Sequence, residues 1–288
     1  MRRLFLVLAG FLFIGAAAAA AQPQAVFKLE SYRKTVALHA SVHGHDGLFL
    51  LDTAGGLTLL SPAFAKRIGC KPWGRLSGFR MMGDRLDAPR CDDVDFQLGD
   101  QLFHAPVTLV FDIAPLLAKD AAPVAGSIAL DLFAGKTITV DIPGRRLIVE
   151  SPESLQARIA QARELPVLLS REMQGRALAA SVGVATSSGT LWFELDTGNG
   201  GTLLVSQPYA RLFGLDAAAK GPQQADFAVA AGLRARGRAF TPDMVLDGNL
   251  GMPFLRDKLI TLDLERGRLW IGIAESEAAT TPPGSRSR

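Results

Sequence analysis

The sequence predicts a mainly β protein of two homologous lobes with short helices, and three of its features carry that prediction. Short runs rich in Val, Leu, Ile and Phe alternate with Gly, Pro and Asp, the pattern of strands punctuated by tight turns. At 288 residues the chain exceeds the size at which a single core stops growing, and 48% hydrophobic residues suffice to fill two. Finally, the chain repeats itself in register, which distinguishes an internal duplication from a chance tripeptide.

The N-terminus carries Arg2 and Arg3, then the apolar run 4–21 ending in Ala19-Ala20-Ala21, and reads as a secretory signal peptide over residues 1–21. The rival reading is a retained membrane anchor. The first lobe is expected over 26–152. Within it His43-Gly44-His45-Asp46-Gly47 reads as a hairpin turn rather than a metal site, because two His alone make an incomplete ligand set. That turn feeds the first motif strand, Phe49-Leu50-Leu51-Asp52-Thr53-Ala54-Gly55-Gly56-Leu57-Thr58-Leu59-Leu60-Ser61. An acidic residue that ends a buried β run, followed by Thr and small residues, is placed for chemistry more readily than for solubility. Pro62, Phe64, Ala65, Arg67 and Ile68 then read as a short helix.

Cys70 and Cys91 are the only cysteines. In an exported chain such a pair reads as a disulfide, with two separate reduced thiols as the plainer alternative. Between them 76–86 carries Gly83-Asp84, which suits a tight hairpin turn, and a flap is expected there. Its Phe79, Met81, Met82 and Gly83 are candidate substrate contacts, against the alternative that the apolar members pack inside the lobe. Gly126-Ser127-Ile128-Ala129 and the strands 136–141 and 146–149 complete the copy. A capping pattern at 150–154 marks a short helix or linker over 153–163.

The second lobe, expected over 164–273, restates the first. Phe193-Glu194-Leu195-Asp196-Thr197-Gly198-Asn199-Gly200-Gly201-Thr202-Leu203-Leu204-Val205-Ser206 is followed by Pro208, Tyr209, Ala210, Arg211 and Phe213, a second short helix. Gly248-Asn249-Leu250-Gly251 then matches the segment ending at Ala129, and strands follow at 258–263 and 268–271. Gly198-Asn199-Gly200-Gly201 is not a nucleotide loop, since it lacks the Gly-Lys-Ser/Thr ending. The polar residues 274–288 read as a disordered tail.

The tandem Asp52-Thr53-Ala54 and Asp196-Thr197-Gly198, with the Leu250-Gly251 segment, resembles the aspartic protease superfamily over roughly 26–272. The likeness is pepsin-like in its two lobes on one chain and retropepsin-like in the brevity of each, as in a bacterial-type single-chain tandem of two retropepsin-like lobes. It implies the bilobal pepsin/retropepsin-like acid protease fold with two β-barrel-like lobes. It also implies an aspartic-type endopeptidase in which Asp52 and Asp196 are catalytic and Thr53, Ala54, Thr197 and Gly198 support their loops, the two Thr by hydrogen bonds across the lobe interface. A catalytically weak or inactive peptide-binding pseudo-protease of the same fold is the alternative. Neither Tyr32 nor Tyr209 falls in the flap, so the flap is similar to the retropepsin type. Two positions depart from the family's pattern: Ala54 stands where the second copy has Gly198, and Ala129 where it has Gly251. A positive φ at Ala54 would cost about 1 kcal/mol or more, and a methyl at Ala129 would press on the loop.

The chemistry follows from the paired acids. Two carboxyls within hydrogen-bonding range cannot both ionise cheaply, so they hold one proton over a window of pH. The ionised member can take a proton from water while the protonated member polarises a carbonyl, with peptide-bond hydrolysis as the outcome. That scheme calls for no metal and no cofactor. Formal charge is +3, two of those charges lie in the leader, and basic residues are scattered, which excludes a nucleic-acid surface. Peptide or protein is the expected partner, any membrane contact is confined to an uncleaved leader, and the periplasm or the exterior is the expected location.

Overall fold

In the computed structural model, which describes residues 21–273, the repeated sequence folds as two lobes on one plan. The leader, apart from its last residue, and the tail 274–288 lie outside the described residues. In the first lobe Thr35–Val42 and His45–Leu51 pair antiparallel through a turn at His43-Gly44, both at positive φ. Strand His45–Leu51 then pairs in parallel with Gly126–Ile128, which also pairs antiparallel with Leu59–Leu60. The second lobe repeats this with Ala179–Thr186 and Gly189–Leu195, the parallel partner Gly248–Leu250, and Leu203–Val205. Phe49 faces Gly126 as Phe193 faces Gly248. The register therefore makes Leu50 the counterpart of Glu194 and Ser127 the counterpart of Asn249.

These strands belong to an eight-stranded sheet in the first lobe and a seven-stranded sheet in the second. A six-stranded sheet takes three strands from each half, and at its centre Thr137–Asp141 pairs antiparallel with Lys258–Asp263. Thr139 lies opposite Thr261, and their buried hydroxyls are 2.8 Å apart. One hydrophobic core consequently runs through both lobes, from Phe27 to Ile271. Nothing in the apolar pattern of 137–141 or 258–263 announces that these strands pair with each other, because sequence repeats report likeness and not contact.

The short elements follow local chemistry. Ser61 caps the helix Pro62–Arg67, accepting from the Phe64 N–H, with Pro at the first turn where its missing donor is not needed. Its counterpart Gln207–Phe213 is a 3-10 helix closed by Gly214 at φ 70°. Between the lobes Pro152–Ile159 forms a helix capped reciprocally by Ser151 and Ser154. Cys70 and Cys91 form a disulfide with Cα atoms 6.3 Å apart, tying the end of the first helix to strand Arg85–Leu98. By loop-closure arguments such a bridge contributes about 3 kcal/mol. Trp73–Phe79 and Arg85–Leu98 make the hairpin expected as a flap, turned where the Gly83 N–H donates to the Arg80 carbonyl at 2.8 Å.

Candidate active site

Both aspartates leave the ends of central strands, and each is fixed first through its backbone. The Asp52 N–H donates to the Ile128 carbonyl at 2.9 Å and the Asp196 N–H to the Leu250 carbonyl at 3.1 Å. The next residues lock the two loops together. Thr53 Oγ1 donates to the Leu195 carbonyl and Thr197 Oγ1 to the Leu51 carbonyl, each at 2.6 Å. In return each Thr hydroxyl accepts the backbone N–H of the other Thr at 3.1 Å. All four bonds are buried and cross the lobe boundary, each worth about 1 kcal/mol net. A hydroxyl suits each position because it can donate and accept at once in so small a space.

The lock turns both carboxyls toward one point. The position a β-carbon at Gly198 would take lies 2.9 Å from Asp52 Cγ and 3.1 Å from Asp196 Oδ1. Gly55 and Gly198 are exposed there, so solvent reaches the floor between the acids. Asp52 Oδ1 accepts the Ala54 N–H at 3.2 Å. Asp196 is better held: Oδ1 accepts the Asn199 N–H at 2.9 Å, and Oδ2 accepts the Asn249 Nδ2 at 2.7 Å. Burial raises the pKa of both acids. Asp52 is pushed up to about 7, by desolvation first and then by the charge of Asp196, while Asn249 and the backbone N–H groups oppose the rise at Asp196. The pair accordingly retains one proton into the neutral range.

The two departures in the first lobe are absorbed. Ala54 is not among the residues with positive φ, and its N–H faces the Asp52 carboxyl. Ala129 sits in extended backbone at φ −108°, its N–H donating to Thr58 Oγ1 at 3.1 Å. Its methyl has room because Gly55 occupies the place of Asn199; even a β-carbon on Gly55 would stand 3.4 Å from it. In the second lobe a β-carbon on Gly251 would come within 2.5 Å of the Asn199 carbonyl oxygen and 2.6 Å of Asn199 Cγ. Each lobe thus pairs one larger residue with one glycine, in opposite order. The expected pressure of Ala129 on the loop is relieved by Gly55.

Of the flap residues, Met81 and Gly83 meet the second lobe while Phe79, 71% exposed, and Met82 stand in solvent. The Val245 N–H donates to the Met81 carbonyl at 3.0 Å, so the hairpin tip is bonded across the lobes. Beneath it, second-lobe segment 171–178 reaches the first lobe: Met173 packs near Gly78, and the Leu178 N–H donates to the Gly56 carbonyl at 2.8 Å. Sequence reasoning missed Glu194, Asn199, Asn249 and Val245 as members of this region. Glu194 had a legible signal, since it interrupts an apolar strand two residues before Asp196 and so shares its face. Val245 had none, because a loop residue's partner across a lobe boundary is set by tertiary placement.

No protein-family model and no curated protein matches the chain. Among solved structures it is similar to basic 7S globulin from soybean, at 10% identity and a TM-score of 0.56, over 87% of this chain and 95% of the globulin. It is similar also to conglutin gamma, a basic 7S globulin from lupine seeds, at 11% identity and a TM-score of 0.54, over 88% of this chain and 96% of that one. The chain therefore has the mainly β, bilobal pepsin-type fold. These findings overturn the assignment to the aspartic protease superfamily as a retropepsin-like tandem: these two similar structures are named as globulins, and no family model supports the tandem. The physical reason is that Asp-Thr-small in duplicate encodes a pair of interlocked turns, which belong to the fold and do not by themselves define a family.

Proposed function

We propose that the protein binds an extended peptide between its lobes and hydrolyses it slowly, with Asp52 and Asp196 sharing one proton around a water molecule. The observation that carries this reading is the reciprocal Thr53–Thr197 lock, which holds two acids toward one exposed point. An acid pair of that kind has a base and an acid in contact with one water, and strand-like backbone pairing is the usual means of holding an extended peptide in a groove. Slow turnover is favoured by the flap tip, which must give up the Met81–Val245 bond before a chain can enter. The leader pattern and the Cys70–Cys91 bridge support export to an oxidising compartment.

A second reading, an efficient aspartic-type endopeptidase, is favoured by the fit of Ala54 and Ala129 without positive φ. One experiment separates the two. A peptide mixture from an unfolded protein is incubated with the protein from acidic to neutral pH, with binding followed by calorimetry and products by mass spectrometry. The expected result is binding with slow cleavage, and with cleavage but not binding lost in Asp52→Asn and Asp196→Asn. Turnover of about 1 per second or faster would select the second reading. Absence of any peptide binding, or cleavage undiminished in both variants, would remove the proposal.

A further inference from the structure

A third carboxylic acid lies behind the pair and has no part in the scheme above. Glu194 is 9% exposed on strand Gly189–Leu195, two residues before Asp196 and on the same face. Its strand neighbours in register are Ser181 on one side and Asn249 on the other, both buried and both uncharged. The charged groups facing it are all acidic: Asp196 at the end of its own strand, Asp52 from the first-lobe loop, and Glu172 from segment 171–178. Among the described residues no salt bridge includes it.

The link to the pair is the amide of Asn249. Its Nδ2 donates to Asp196 Oδ2 at 2.7 Å and lies beside the Glu194 carboxyl, while its Oδ1 accepts from Asn199 Nδ2 at 2.9 Å. An NH2 group has two hydrogens, so one amide can serve two acids. The arrangement is confined to one lobe. At the equivalent positions the first lobe has Leu50 and Ser127, and the buried Ser127 hydroxyl has no partner.

We infer that Glu194 is a positioning residue that must stay protonated for the pair to carry a single negative charge with Asn249 committed to Asp196. Loss of its proton puts a second negative charge behind the singly charged pair and competes for the Asn249 amide. Its surroundings keep it neutral, for burial and then the charges of Asp196 and Asp52 push its pKa up to about 8. Peptide binding between the lobes then ends at high pH through two proton losses, one from the pair and one from Glu194. The inference rests on the peptide-binding reading for this consequence, but the protonation of Glu194 does not.

The test uses the full chain and a pepstatin-type peptide whose hydroxyl stands in for the water between the acids. Across the alkaline limb, affinity for the wild type is expected to fall toward about 100-fold per pH unit, the slope of two protons, and for Glu194→Gln about tenfold, the slope of one. Equal slopes would overturn the inference. Carbon-13 titration of the side-chain carboxyls is the second measurement, with the Glu194 resonance assigned by its loss in Glu194→Gln. It is expected to titrate above neutrality and to move down in Asp196→Asn. A Glu194 that titrates as an ordinary glutamate refutes the inference whether or not peptide binds. A coupled Glu194 with no peptide binding at any pH would leave it standing and remove the proposed function instead.

Discussion

The two aspartate loops share a backbone plan and differ in how firmly they hold their acids. Asp196 is buried and accepts from a backbone N–H and a side-chain amide; Asp52 is half-buried and has one longer backbone bond of 3.2 Å. A carboxylate with more donors is the better place for a negative charge. The extra amide donor favours negative charge at Asp196, and near-symmetry of sequence gives way to unequal hydrogen bonding around the two acids. What the difference teaches is that duplication preserved the scaffold, the Thr lock and the strand register, while the residues packed around each acid diverged in compensating pairs.

The largest expected effect comes from breaking one such pair. Gly251→Ala places a methyl within 2.5 to 2.6 Å of Asn199 and Thr202 backbone and side-chain atoms that anchor the second loop. Overpacking of that kind is expected to destabilise by about 3 kcal/mol, read as a drop in the urea midpoint. The mirror change Ala129→Gly removes a buried methyl beside Gly55, and should cost about 1 kcal/mol. Equal costs in the two lobes would show that the loops do not differ in the way described.

Next in size is the pH dependence of stability contributed by Glu194. Its folded pKa, about 8, lies above its ordinary value of 4.5, so between those limits the folded state binds more protons than the unfolded one. Stability must then fall as pH rises through that window and level off above it, by on the order of 2 kcal/mol or more. Glu194→Gln is expected to flatten this part of the curve of melting temperature against pH. Leu50 stands at the equivalent position of the first lobe, so this part of the slope has no counterpart there, although the raised Asp52 and Asp131 add slopes of their own at lower pH. An unchanged slope in the variant would place the acid-favoured stability elsewhere.

A smaller effect is expected when the second lobe is made to resemble the first at Asn249. Asn249→Ser shortens the side chain and removes the 2.7 Å bond to Asp196, leaving a buried acid with one donor fewer. The cost is about 2 kcal/mol at neutral pH, shrinking under acid conditions where Asp196 is protonated. The same change removes the side-chain bond that lowers the Asp196 pKa, so carbon-13 titration is expected to show Asp196 titrating at higher pH in the variant.

Much of this is legible in the sequence. The mainly β plan, the repeat, the turn at His43-Gly44, the flap hairpin and the Cys70–Cys91 pairing follow from local chemistry, which sequence records directly. The shared central sheet and the bond from Val245 to Met81 did not, because both are long-range pairings between segments that look ordinary on their own. Asn249 escaped because strand position alone does not say which acid an amide will reach. The family assignment failed for a related reason: a turn motif fixes geometry, and geometry is shared more widely than descent or activity.

The smallest effect concerns the first lobe's own relic. Ser127 occupies the place of Asn249, is 2% exposed, and its hydroxyl finds no partner. A buried hydroxyl without a hydrogen bond opposes folding, so Ser127→Ala should leave stability unchanged or raise it by up to about 1 kcal/mol, the reverse of the loss expected at Asn249. Thermal melts of the two single variants and the double variant check this. Their costs should add, because the two positions lie in separate lobes and share no partner. A clear loss in Ser127→Ala would mean that the hydroxyl serves Asp52 after all, and that the first acid is held more like the second than the hydrogen bonds indicate.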